Sequence, residues 1–342
     1  MKRIPVMIAA LVLIWACEAP DQAPDDQILG PETLWTRTYG GSNSDRGISV
    51  QQTSNGGFVV VGSTFSFGGN RDVYLIRTDA QGDTLWTRTY GGSDHDLGAS
   101  VQQTSDGGFV VTGGFIQFAV GLGDALLIRT DANGDTLWTR TYGGSGTNNG
   151  NSVQLTSDGG FVVGGSTNSF GAGDPDVSLI RTDAQGDTLW TRTFGGSSND
   201  EGFSVQQTSD GGFIVAGSTE SFGAGESDVY LIRTDAQGDT LWTRTYGGSG
   251  FDRGFSVQQT SDDGFVVAGV TTSFGAGESD DVYLIRTDAQ GDTLWTRTFG
   301  GSGHERGWSV QQTDDGGFVV AGSTDSFGAG DTDVWLIRLG PE

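Results

Sequence analysis

The sequence predicts an all-β fold, a six-bladed β-propeller made of four-stranded antiparallel blades. The motif LWTRT, followed by Tyr or Phe and two glycines, recurs at intervals of 51 to 53 residues. Its tryptophans are Trp35, Trp86, Trp138, Trp190, Trp242 and Trp295. Each interval holds four short segments of strand character and none with the apolar spacing of a helix. A period near fifty residues is typical of propellers, solenoids and arrays.

Residues 202–248 show the elements of one repeat. Strand A (SVQQT) alternates small or apolar with polar residues, and the turn SDGG leads into strand B (FIVAG), which is apolar and β-branched. A serine- and glycine-rich loop then leads to strand C (DVYLIRT), and the tight turn DAQGD leads to strand D (TLWTRTY). Four consecutive antiparallel strands are the blade of a propeller, with A innermost.

The chain ends predict how the propeller closes. Strands A to C are expected near 48–78, 99–130, 151–182, 203–234, 255–287 and 308–339. Strands D are expected near 33–39, 84–90, 136–142, 188–194, 240–246 and 293–299. The first D strand has no A to C set before it, and the last set has no D strand after it. We therefore expect residues 33–39 to pair with residues 334–339 and complete the sixth blade, which leaves no open sheet edge.

The N-terminal residues have the pattern of an export signal. Lys2 and Arg3 precede an apolar run, residues 4–15, that is too short to span a bilayer. The run ends at Cys17, and the local sequence IWAC resembles the lipobox of bacterial lipoproteins. That resemblance implies a signal peptide at 1–16, lipidation of Cys17, a flexible tether over 17–32 and a propeller over 33–342. The alternative is a plain secretory signal with a cysteine at its cleavage site.

Composition excludes several functional classes. Lys and Arg number 18 against 43 Asp and Glu, a formal net charge of −25, so a nucleic-acid partner is not expected. One cysteine allows no internal disulfide. One cysteine and two histidines also provide few ligands for a zinc site and few candidates for the base of a catalytic triad. We expect neither a cofactor nor a metal site, with calcium as the minor alternative.

The repeats resemble a known bacterial propeller repeat. The segments GGSGFDRGFSVQQTSDDGFVVAG and DDVYLIRTDAQGDTLWTRTFGG are similar to the repeats of bacterial seven-bladed-type propellers. The hairpin between strands C and D, with Asp79, Gly82 and Trp86, is similar to the tryptophan-docking motif of quinoprotein propellers. The resemblance covers residues 33–339 and implies the fold. No position matches a quinone site, so it implies no cofactor.

The repeated Trp and Arg residues are predicted to be scaffold. Trp86, Arg88 and Tyr90 lie on one face of strand D, where packing between blades is the simplest role. Arg77 and Arg88 recur in the repeats, and stacking on Trp or pairing with Asp79 or Asp83 would satisfy them. An arginine patch that binds phosphate or sulfate is the alternative. The Asp79-to-Asp83 turn lacks the ligand spacing of an EF-hand, so a side-chain-closed turn is favoured over calcium binding.

The loops between strands D and A carry candidate ligand residues. The third position after GGS is acidic in five of six repeats and is Asn148 in the other. The acidic residues are Asp45, Asp96, Asp200, Asp252 and Glu305. A near-ring of carboxylates would bind cations or sugar hydroxyls. The alternative is that each carboxylate caps its own loop by a local hydrogen bond.

Aromatic residues lie beside these acids. Phe203, Phe255 and Trp308 are predicted to form an arc at the channel mouth, with Arg253 and Arg306 nearby. Such a set suits carbohydrate or peptide recognition, and filling of the core is the alternative.

One B–C loop differs from the others. Where most of the others read SFGAG, the second repeat has the apolar stretch 115–122, which includes Phe115, Ile116, Phe118 and Leu122. These would form an interaction patch if exposed, or a plug if tucked over the channel.

These observations predict a non-catalytic, envelope-anchored propeller that binds or scaffolds through the face formed by its D–A and B–C loops. A lectin-like carbohydrate-binding protein is the alternative. A glycoside hydrolase or lyase is less favoured, because it needs two carboxylates in contrasting environments and the acids here are repeated equivalents. The expected partner is an envelope protein or polysaccharide, contact with the membrane is expected through a lipid anchor only, and the chain is expected to be monomeric.

Overall fold

The structure is a computed structural model, and it describes residues 34–116, 123–173, 175–275, 279–328 and 330–342. The predicted signal peptide, Cys17 and the tether lie outside the described residues. The chain divides into two compact units, Met1–Thr36 and Arg37–Glu342. The described part of the first unit, residues 34–36, has no secondary structure, and every strand belongs to the second unit.

The all-β prediction is confirmed, because the described residues contain twenty-three strands and no helix. The strands of the first three blades are β1 (Asp45–Gln52), β2 (Phe58–Thr64), β3 (Asp72–Thr78), β4 (Thr84–Tyr90), β5 (His95–Gln103), β6 (Phe109–Ile116), β7 (Ala125–Thr130), β8 (Thr136–Tyr142), β9 (Asn148–Leu155), β10 (Phe161–Thr167), β11 (Asp176–Thr182) and β12 (Thr188–Phe194). Those of the last three are β13 (Asp200–Gln207), β14 (Phe213–Thr219), β15 (Asp228–Thr234), β16 (Thr240–Tyr246), β17 (Asp252–Gln259), β18 (Phe265–Thr271), β19 (Asp281–Thr287), β20 (Thr293–Phe299), β21 (Glu305–Gln312), β22 (Phe318–Thr324) and β23 (Asp333–Leu339). Among these residues there is accordingly no helix that could cross a membrane.

Each blade is an antiparallel sheet of consecutive strands, and the blades form a β-propeller. Five sheets have four strands, and the sixth has three among the described residues, β21 to β23. In every blade the register of the innermost pair shifts by one residue just after a glycine, as between Gly202 and Ser204. The extra residue of this β-bulge, Phe203 in the fourth blade, is left without a partner in the ladder.

Neighbouring blades pack through a repeated aromatic contact. Trp190 of β12 meets Phe213 of β14 edge to face, with ring centroids 5.7 Å apart. The same pair recurs at four other interfaces. Each of the five apolar core clusters joins residues of two successive blades. At these five interfaces the repeated tryptophans therefore pack between blades, as the sequence predicts.

The innermost strands are linked by a ladder of glutamine side chains. Gln206 Oε1 accepts a hydrogen bond of 2.5 Å from the backbone N–H of Gln259, one blade further on. Equivalent bonds join each blade to the next from the first to the sixth. The Val-Gln pairs of all six inner strands line a central channel. The ladder gives a backbone donor of each following inner strand an acceptor.

The sixth blade has its three inner strands as predicted, and differs only in the outermost one. Residues 34–40 contain no strand, and the pairing expected between 33–39 and 334–339 is not among the strand pairs of the described residues. Arg37 pairs with Asp83 at 3.1 Å, and Tyr39 donates to the Gly82 carbonyl. These are the contacts that Arg88 and Tyr90 of β4 make with the C–D turn of the following blade, so this segment meets the first blade as a strand D would. Val334 of β23 is 90% exposed, whereas its counterparts in the preceding blades are buried.

Candidate functional site

The D–A loops are closed by their own acidic residues. In the fourth blade, Asp200 Oδ2 accepts hydrogen bonds from the Gly196 N–H at 2.8 Å and from Ser221 Oγ at 2.7 Å. Equivalent bonds to the loop glycine recur at Asp45, Asp96, Asp252 and Glu305. Four of these five acids are buried, and Asp45 is half-buried. The structure therefore places them inside the loops, as the local-capping alternative requires, and they do not project from the loop face.

The three candidate aromatic residues form a continuous arc. Phe203 and Phe255 meet edge to face with ring centroids 5.4 Å apart, and Phe255 stacks on Trp308 at 4.8 Å. Each is the bulge residue of its inner strand, so the arc spans three successive blades. Trp308 is 48% exposed, and Phe203 and Phe255 are half-buried. The rings therefore present an apolar surface beside the channel.

The equivalent positions in the first three blades carry no aromatic ring. They are Ile48, Ala99 and Asn151. Asn151 donates a hydrogen bond of 2.8 Å to the Gly202 carbonyl and so ties two inner strands together. Since only the last three blades contribute rings, this apolar surface lies on one side of the channel.

Arg306 lies against the arc. Its guanidinium is 5.9 Å from the Trp308 ring centroid, and its Nη2 is 3.0 Å from Asp280 Oδ2. Arg253, the equivalent residue one blade earlier, is half-buried. Sequence reasoning missed Asp280, although the one-residue insertion that places it in the fifth repeat was visible as the 53-residue interval.

The candidate apolar loop is described only at its start. Phe115 is half-buried in β6, and Ile116 ends that strand. Phe118 and Leu122 lie outside the described residues, so the choice between an interaction patch and a plug stays open as a prediction.

Both histidines accept hydrogen bonds from the backbone of neighbouring loops. His95 Nδ1 accepts a hydrogen bond of 3.1 Å from the Arg71 N–H, and His304 Nδ1 accepts one from the Asp280 N–H at 3.4 Å. The two occupy equivalent positions in their repeats. Within the described ranges, no group of three or more His, Cys, Asp or Glu residues is placed to hold a metal ion. Through their hydrogen bonds, both histidines fix the backbone of the neighbouring loop.

The two sets of repeated arginines have different partners. Arg192 of strand D lies over Trp190 at 5.5 Å and pairs with Asp239 in the next blade, in agreement with the predicted stacking and pairing. Arg233 of strand C is buried and does not pair with an aspartate of the C–D turn. Its Nη2 contacts both oxygens of Asp210, in the turn between strands A and B, at 2.6 Å.

The aspartate of the A–B turn was missed from the sequence, although it recurs in five of six repeats, with Asn55 in the first. Thr104 donates a hydrogen bond to the second-blade member, Asp106, and this bond lowers the pKa of the Asp106 carboxyl below its ordinary value; Arg129 lowers it further. The carboxylate is therefore held in its charged form beside the guanidinium.

Fold and site together define the class of this chain as a repeat β-propeller with an aromatic loop face. No family model matches the sequence. The regulatory protein FlaEY of Caulobacter vibrioides is 31% identical over an alignment of 176 residues, with 44% of this chain and 18% of FlaEY covered. This chain thus matches less than a fifth of the length of that relative.

Some solved structures are similar to this chain at low sequence identity. Sqt1 from Chaetomium thermophilum has a TM-score of 0.46 and 11% identity, with 87% of this chain and 83% of Sqt1 covered. The Pan2 WD40 domain of Neurospora crassa has a TM-score of 0.49 and 9% identity, with 81% and 74% covered. Likeness at this level carries no information about what the chain binds.

Proposed function

We propose that this protein is a non-catalytic binding module that recognises its partner through the arc of Phe203, Phe255 and Trp308. The observation that carries the proposal is the stacking of Phe255 on a half-exposed Trp308 at the loop face. Aromatic side chains that are clustered and only partly covered are typical of the centres of recognition sites.

The charges around the arc favour a partner with an apolar or aromatic group and an acceptor. Arg306 supplies donors beside Trp308, and Asp280 fixes its guanidinium. A segment of an envelope protein meets this description. A polysaccharide is the second candidate, because the exposed face of Trp308 would stack on a sugar ring.

Several contacts support a role without catalysis. The loop acids are buried and engaged with loop donors, and both histidine Nδ1 atoms accept backbone hydrogen bonds. A glycosidase-type mechanism requires two carboxyl groups that face a substrate. The buried loop acids do not present such a pair at the arc.

The test is affinity capture by the immobilised chain from envelope extract and from soluble polysaccharides. We expect Trp308→Ala, alone and with Phe255→Ala, to lower the retained amount at least tenfold, because the stacked rings are removed. Leu241→Ala is the matched control, since it removes an exposed apolar side chain on an outer strand. The proposal fails if retention is equal for the arc variants and the parent chain, or if nothing is retained.

The proposal includes anchoring at the cell envelope, which rests on the residues before the propeller. Several acyl chains on Cys17, at about 0.8 kcal/mol for each buried CH₂, would hold the protein on a membrane. We expect fatty-acid labelling of the expressed chain to be lost in Cys17→Ala, with the protein moving from the membrane fraction to the soluble one. Labelling that persists in Cys17→Ala would contradict lipidation at this residue.

A further inference from the structure

A cavity of about 260 Å³ lies between the second and third blades. Tyr142 of the second blade lines it, together with Phe170, Ser178 and Thr191 of the third. The described residues that line the cavity include no charged side chain, and several of them carry a hydroxyl group. A concave site with apolar walls and a few polar groups is the usual form of a small-molecule site, and the lack of a charged group favours a neutral ligand.

Two short side chains open this cavity. Ser178 is the third residue of its strand C, where the other repeats have the large residues Tyr74, Leu126, Tyr230, Tyr283 and Trp335. Ala125 of the second blade also lines the cavity, and the other five repeats have valine at its position. One interface further on, Tyr230 packs in one core cluster with Val177, which is the equivalent of Ala125. The cavity therefore occupies the place that a tyrosine side chain takes in other blades.

Tyr230 shows how the fourth blade fills the equivalent space. Its side chain is buried, and its ring centroid lies 5.8 Å from that of Phe222. Burial raises the pKa of Tyr230 to about 12, and a side-chain hydrogen bond with Thr243 opposes this rise. The phenol is therefore neutral at pH 7 and contacts an aromatic ring and a threonine hydroxyl. Tyr74 and Tyr283 make the same two contacts in the first and fifth blades.

The third blade keeps both partners of the missing phenol. Phe170 is the equivalent of Phe222 in the B–C loop, and it is 52% exposed. Thr191 is the equivalent of Thr243 on strand D. Both line the cavity, so the aromatic ring and the hydroxyl group that hold a phenol in other blades face an open space here.

We infer that this cavity binds a small neutral phenol. The ligand ring would lie against Phe170, and its hydroxyl group would bond with Thr191, whose hydroxyl can both donate and accept. The space is sufficient, because an apolar cavity of about 150 Å³ is enough to hold benzene. The site is separate from the aromatic arc, which lies on the last three blades, so each site can be tested without the other.

The test is isothermal titration calorimetry of the full chain with phenol, and with benzene as the ligand that lacks the hydroxyl group. We expect one phenol per chain, with a dissociation constant of about 1 mM or lower. Benzene should bind at least about threefold more weakly, because it leaves the Thr191 hydroxyl without a partner. Ser178→Tyr should abolish saturable binding, because it restores the side chain that fills this space in the fourth blade.

Thr191→Val is the matched variant, because it removes the hydroxyl group and keeps the volume of the side chain. We expect its affinity for phenol to fall about fivefold and its affinity for benzene to stay within about twofold. Thermal unfolding without ligand should give Ser178→Tyr a midpoint at or above that of the parent, which shows that the filled cavity causes the loss of binding. The inference is overturned if the parent binds no phenol saturably, if benzene binds it as tightly as phenol, or if either variant binds phenol as the parent does.

Discussion

Replacing Arg233 with methionine is expected to destabilise the propeller strongly. Arg233 Nη1 donates to the carbonyl oxygens of Phe213 and Thr234, and its Nη2 contacts Asp210. Methionine keeps much of the aliphatic volume but leaves buried carbonyls without donors, each costing about 1–3 kcal/mol. We therefore expect the free energy of unfolding to fall by about 3 kcal/mol.

Arg244→Met is the matched control, because it removes the same side chain from strand D of the same blade. Arg244 is 40% exposed and pairs with Asp292 at 3.5 Å, an arrangement worth about 0–1 kcal/mol. Urea unfolding followed by tryptophan fluorescence would measure both variants. Equal losses for the two substitutions would contradict the distinction between a buried and a surface arginine.

Replacing Gly217 with alanine is expected to disrupt the fourth blade. A Cβ at this position would collide with the backbone carbonyl of Glu201 on the paired strand, beside the β-bulge. A backbone atom cannot move aside as a flexible side chain can. We expect a loss of about 2–3 kcal/mol, the upper range for overpacking.

Gly69→Ala serves as the comparison, because a Cβ there would meet open space. Its effect should remain within about 0.5 kcal/mol, as for surface substitutions away from special features. Circular dichroism and the urea midpoint would show the difference. A Gly217→Ala chain as stable as Gly69→Ala would show that the strands β13 and β14 can separate at the bulge without cost.

The sequence was sufficient to predict the all-β class and the four-stranded blade. The signals are local, since alternation, turn residues and the recurrence of LWTRT each act within one repeat. The closure of the sixth blade was inferred from counting strands alone. In the structure, Arg37 and Tyr39 contact the first blade as the other strands D contact their next blade, whereas no ladder joins this segment to β23 among the described residues.

The candidate site was less accessible from sequence. The loop acids were recognised as a set, but their burial depends on how neighbouring blades pack. Asp200 and its donor Ser221 lie 21 residues apart in the sequence, so no short motif brings them together. The aromatic residues were found because they vary at one repeat position, whereas their stacking distances follow from the bulge at which each sits.

The glutamine ladder along the channel affects how the number of blades could change during evolution. Its bonds are of the same kind between each of the five pairs of successive blades, so any repeat could follow any other and still form this ladder. Unequal recombination within the gene would then add or delete whole blades while leaving the remaining joins intact. Blade number in such a lineage is free to change faster than the sequence of any one blade.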